Sequence, residues 1–135
     1  MKTTKSILAS LVLMLLVSVS AMAQTEAKVI AVVNKATWCH VCEENGARAM
    51  SAFMANNSDN GFKFVANDLS TDDTKKSSLE EIKKLGLESA VADLKYTGMA
   101  YFFNAKTKEL IHQVSVAKSD AEIAAAMVTA KNAVK

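Results

Sequence analysis

Cys39 and Cys42 are the only cysteines in the chain, and Trp38 stands directly before them. An apolar run, Val29-Ile30-Ala31-Val32-Val33, leads into them, and a segment with helical spacing follows. A strand that hands a Cys-x-x-Cys to the first turn of a helix restricts both fold and chemistry. The first four backbone N–H groups of a helix have no intrahelical partner, and the macrodipole adds partial positive charge there. A cysteine at that point is stabilised as its thiolate, the nucleophilic form. The spacing predicts Cys39 at or beside the N-cap and Cys42 about one turn further in. Two other readings of the pair are half of a structural zinc site and two buried thiols. Zinc normally takes four ligands, and beyond the cysteines the chain offers only His40 and His112 as nitrogen ligands. Trp38 and the strand-to-helix context weigh toward redox chemistry.

Residues 1–23 read as a secretory leader. Lys2 and Lys5 form a positive start, Ile7 to Val19 is apolar, and Ala21-Met22-Ala23 fits a cleavage site before Gln24. The apolar stretch is shorter than the roughly 20 residues that a membrane-spanning helix needs. No cysteine lies near the cleavage point, so no lipoprotein anchor is expected. The expected mature protein is one domain, residues 24–135, periplasmic or secreted. Once Lys2 and Lys5 leave, the 16 basic residues of the whole chain fall level with the 14 acidic ones. That balance gives no reason to expect nucleic acid or a membrane surface as partner after the leader is removed. In an exported protein a lone cysteine pair could be a staple. A bridge across two residues closes too small a loop to restrain the unfolded chain much, so this pair reads as one that opens and closes.

Hydrophobic spacing lays out the remaining elements. Lys28 to Asn34 reads as a strand apolar on both faces, suited to the centre of a covered sheet. Cys39 to about Asn56 reads as a helix with Ala47, Met50 and Met54 on one face and Phe53 beside them, ended by a turn cluster up to Gly61. Phe62 to Asn67 alternates as a second strand. Ser77-Ser78-Leu79-Glu80 fits a capping box, with Asp72 as an earlier possible start, and Leu79, Ile82 and Leu85 form a stripe closed by Gly86. A short helix is expected within Leu87 to Leu94. Met99 to Phe103 and Leu110 to Val116 read as a hairpin, with Leu110, His112, Val114 and Val116 on one face. Ser119-Asp120-Ala121-Glu122 is another capping box, followed by Ile123, Met127, Ala130 and Val134 at helical spacing. The predicted order is β-α-β-α-β-β-α, an α/β domain whose central mixed sheet carries helices on both faces.

Trp38-Cys39-x-x-Cys42 after a buried strand, set in that order of elements, resembles the thioredoxin-like proteins over nearly all the chain beyond the leader. The resemblance implies Cys39 as nucleophile and Cys42 as the resolving thiol, with Trp38, His40, Val41, Thr97 and Gly98 in support. The chain departs from the family pattern in three places. It has no proline at all, and Gly98, preceded by Thr97, falls where the family places a cis-proline facing the cysteines. A cis bond without proline costs about 2.5–4 kcal/mol, so a trans Thr97–Gly98 bond is expected. Val33 occupies the place of the family's buried acid, with Asn34 and Lys35 as neighbours that could replace it. His40-Val41 lies between the cysteines. A protonated His40 favours a Cys39 thiolate, whereas Glu43 and Glu44 oppose it.

The leading expectation is a thiol–disulfide oxidoreductase acting outside the cytoplasm on protein thiols or disulfides, with no cofactor. If it runs as a reductase, an electron source such as a membrane-bound reductase is implied. A second reading is soft-metal binding or delivery, of Cu(I) or zinc, through Cys39, Cys42 and His40. A third is a thioredoxin-like binding module without turnover.

Overall fold

The computed structural model describes residues 26–135, so the leader lies outside the described residues. Strand β1, Val29–Lys35, runs parallel to β2, Phe62–Asp68, and antiparallel to β3, Met99–Asn104; β3 in turn pairs antiparallel with β4, Leu110–Ser115. The order across the sheet is β2-β1-β3-β4, which places the most apolar strand in the middle. Among the described residues four helices complete the domain: α1, His40–Ala55; α2, Asp72–Lys84; α3, Glu88–Val91; and α4, Asp120–Ala133. Order and class agree with the sequence reading.

Because side chains alternate along a strand, β1 feeds two cores. Val29 and Ala31 pack with Phe53 of α1 and Ile123 and Met127 of α4. Ile30 and Val32 point the other way, toward Ile82 of α2 and Leu87 and Val91 around α3. Burying a side chain of this size contributes about 1.5–3 kcal/mol, so residues of both faces fix the register of β1. Phe53 anchors the first core, with its ring 5.3 Å from that of Phe64 and 6.4 Å, edge-on, from Phe102.

Three local expectations need correction. The buried face of α1 is Ala49, Ala52 and Phe53, whereas Ala47, Met50 and Met54 are exposed. The sheet meets α1 about one residue position further round than the methionine spacing suggests. The Ser77 capping box is not the start of α2, which takes the earlier of the two expected starts, Asp72: the Thr71 hydroxyl accepts the Thr74 N–H, and the Thr74 hydroxyl accepts the Thr71 N–H. A threonine in place of Glu or Gln at the third position hid this box. Ser78 has a different role, its hydroxyl accepting the Asp68 N–H at 2.9 Å. In β4, a register shift between Phe102 and Phe103 pairs Phe103 with Leu110 and leaves Ile111 unpaired. Leu110 is therefore exposed, and Ile111 packs against the first core instead. A bulge of this kind adds one residue to a strand and shifts the face of those beyond it.

Candidate redox site

The end of β1 and the start of α1 build the site. After Lys35 the chain turns through Ala36-Thr37-Trp38, and the Cys39 N–H donates to the Ala36 carbonyl at 3.2 Å. The Thr37 N–H donates to the Ser70 hydroxyl at 2.9 Å, tying this turn to the loop after β2. Cys39 is the N-cap of α1, as expected, with φ −86° and ψ 104°. Its Sγ accepts the Cys42 N–H at 3.2 Å, and its carbonyl accepts the Glu43 N–H at 3.0 Å. The two cysteines form a disulfide, with Cα atoms 5.2 Å apart. An N–H aimed at the Cys39 sulfur, together with the helix N-terminus, favours negative charge there once the bond opens.

The surroundings separate the predicted supporting residues. Trp38 is 65% exposed beside the disulfide, and Val41 is also exposed. His40 turns outward, its Nε2 3.0 Å from the Glu44 carboxylate. Among the described residues no group of three or more His, Cys, Asp or Glu is placed to hold a metal. Gly98 does face the motif: a Cβ built on it would lie 3.1 Å from Val41 Cγ1. The bond before it is trans, since no cis peptide occurs among the described residues. Its φ is +74°, and its N–H donates to the Asn34 carbonyl at 2.8 Å. Proline can supply neither that φ nor that donor, so this loop has a backbone of its own rather than a prolyl loop lacking its ring.

The face of each residue at the end of β1 is now fixed. Val33 and Lys35 face a cleft of about 720 Å³ beneath the start of α1, which Cys42, Glu43 and Gly46 also line. Lys35 is paired in register with Asp68. The Ser70 hydroxyl and backbone N–H hold the Asp68 carboxyl below its ordinary pKa, and the Lys35 charge acts in the same direction. Asn34 points to the opposite face and is fully buried. Its amide donates to the Leu94 carbonyl at 2.6 Å, and its oxygen accepts from the Asn67 amide at 2.9 Å. Sequence spacing alone could not find this pair, because the partners are 33 and 60 residues away. Asn34→Ala should leave two polar groups unmatched and cost about 2 kcal/mol of stability in urea unfolding. An unchanged midpoint would remove Asn34 as the tie between β1 and the loop that leads to Gly98.

A second tie joins the helix that carries the disulfide to the far side of the site. The Arg48 guanidinium donates to the carbonyls of Val116 and Lys118, at 2.8 and 2.9 Å, and pairs with Asp120 at the start of α4. The Val116 N–H donates in turn to the Gly98 carbonyl at 2.9 Å. Arg48 gave no sequence signal, since an isolated arginine on a helix usually reads as a solvated charge.

No family model matches the chain, and no curated protein matches it by sequence. Solved structures do match its fold. StoA from Bacillus subtilis superposes with a TM-score of 0.51 at 14% identity, covering 76% of this chain and 84% of that one. A secreted Mycobacterium tuberculosis disulfide oxidoreductase, described as homologous to E. coli DsbE, gives 0.50 at 16% identity, covering 76% and 82%. This chain has the thioredoxin-like fold. Its Cys-x-x-Cys stands where β1 passes into α1, with Gly98 in the loop that faces it.

Proposed function

We propose that this protein is a thiol–disulfide oxidoreductase working on protein thiols or disulfides outside the cytoplasm. The observation that carries the reading is the Cys39–Cys42 disulfide closed across the N-terminus of α1, with Cys39 as N-cap. In the reducing direction the Cys39 thiolate attacks a substrate disulfide, forming a mixed disulfide and releasing one substrate thiolate. Cys42 then attacks the Cys39 sulfur, releasing the second substrate thiolate and closing Cys39–Cys42. The oxidised protein needs two electrons to begin again, and a membrane-bound dithiol reductase is the class of partner that would provide them. Reversed, the same steps donate a disulfide.

Location rests on the leader read in residues 1–23. Trp38, Val41 and Thr97 are assigned to the surface around the disulfide, Gly98 to the buried backbone behind Val41, and His40 to tuning its charge. With His40 already beside the exposed Glu44, a large influence on the thiols is not expected.

The test is turnover. Metal-free reduced protein, at a small fraction of the substrate concentration and supplied with dithiothreitol, should reduce a model protein disulfide over many cycles. Cys39→Ser should abolish this. Stoichiometric reduction without recycling would favour a binding module, and activity retained in Cys39→Ser would overturn the chemistry.

A further inference from the structure

The sheet has an edge that its own side chains close at both ends and leave open in the middle. Strand β2 is the outermost strand on one side. The Val29 N–H donates to the Gly61 carbonyl, and the Leu69 N–H donates to the Lys35 carbonyl. Odd-numbered residues of β2 therefore face β1, and even-numbered residues direct N–H and C=O outward. At one end both outward groups of Phe62 are met by the Asn57 amide, at 2.9 and 3.0 Å. At the other, the outward Asp68 N–H is met by Ser78. Between them, Phe64 and Ala66 have no outward backbone partner among the described residues.

These two residues also line the 720 Å³ cleft, together with Gly46, Met50 and Cys42. The open stretch of edge is thus continuous with the disulfide, the one place where an exchange partner has to touch the protein. Met50 and Met54, exposed on the adjoining turns of α1, extend the apolar surface with side chains that adapt to varied shapes. Gly46 lines the cleft and a Cβ built there meets nothing within 4 Å, so a larger side chain at this position would have room to project into it.

We propose that the Phe64–Ala66 edge is a docking strand for an extended, apolar segment of the protein undergoing exchange. The segment adds as a further strand, exchanging backbone hydrogen bonds with Phe64 and Ala66, while one apolar side chain enters the cleft between Phe64 and Met50. Its neighbouring cysteine is thereby held at the disulfide end of the cleft. This assignment names the partner class for the exchange reading and rests on it. An extended backbone is the form that presents N–H and C=O groups at the spacing the edge requires.

The probe is a blocked hexapeptide of alternating leucine and threonine, titrated into the isotope-labelled oxidised protein and followed by amide NMR and hydrogen exchange. The Phe64 and Ala66 amides should shift and gain protection. Ala66→Pro deletes an outward N–H without touching the β1 ladder and should weaken binding about three- to tenfold. Gly46→Leu fills the cleft from a helix position and should weaken it as well. Changes confined to Trp38, Thr97 and Gly98, or none, overturn the docking strand. So does a concentration-dependent dimer whose edge amides are protected without peptide, which assigns the edge to a second copy. Replacing one threonine of the peptide with cysteine separates the two readings. Docking without exchange keeps the strand and sinks the oxidoreductase, whereas exchange with unaltered edge amides does the reverse.

Discussion

Cys42→Ser should accumulate a covalent complex with a disulfide-bearing substrate, held through Cys39, whereas Cys39→Ser should accumulate none. The expected contrast is nearly all-or-none, because without Cys42 the mixed disulfide has no internal thiol to resolve it. The physical basis is the position of Cys39 at the N-cap, where its sulfur already accepts the Cys42 N–H. In the closed disulfide, however, Cys39 is only 6% exposed and Cys42 is the half-buried one that lines the cleft. Charge stabilisation and accessibility therefore rank the two thiols oppositely. Non-reducing gels and mass mapping of the trapped species decide between them. Trapping mainly through Cys42 would show that access outweighs the helix N-terminus, and the roles would exchange.

Gly98→Pro should destabilise the fold rather than restore a family feature. Gly98 has φ +74°, which proline's ring cannot reach, and its N–H is the donor to Asn34. Added atoms would also press on Val41, whose Cγ1 lies 3.1 Å from where a Cβ on this residue would sit. Lost hydrogen bonding and backbone strain together amount to about 4 kcal/mol. For a domain of this size that corresponds to a fall in Tm on the order of 15 °C. The variant is consequently a poor probe of metal binding at the cysteines, because altered affinity would be confounded by a damaged loop. A Tm within a few degrees of the parent would show that the loop can be rebuilt around proline.

The sequence made the fold legible where one residue pattern implied one geometry. The uninterrupted Val29–Val33 run read as a strand covered on both faces, which it is, and Ser119 with Glu122 announced the start of α4 with both bonds of the box formed. Legibility failed where tertiary contacts chose among local options. The bulge opposite Phe102 and Phe103 moved Leu110 out of the core, although alternation put it there. The packing angle of α1 turned Met50 and Met54 outward in favour of Ala49 and Ala52. At the site, the cysteines could be placed because a buried strand running into a helical segment puts them at a helix start, and Gly98 because the resemblance set it in the loop before β3. Asn34, Arg48 and the open edge of β2 could not, because each is defined by a partner, or the lack of one, far away in sequence.

The Arg48 bracket bears on how the two redox states relate mechanically. One guanidinium grips the connection between β4 and α4, and that connection grips the Gly98 loop through Val116. The helix bearing the sulfurs and the wall opposite are thus parts of a single frame, not two jaws on a hinge. With the frame joined in this way, the first turn of α1, Cys39, His40 and Val41, is the expected place of change when the disulfide opens. The ion pair to Asp120 at the frame's far end is exposed on both sides and adds little, so the frame rests on the carbonyl bonds to Val116 and Lys118.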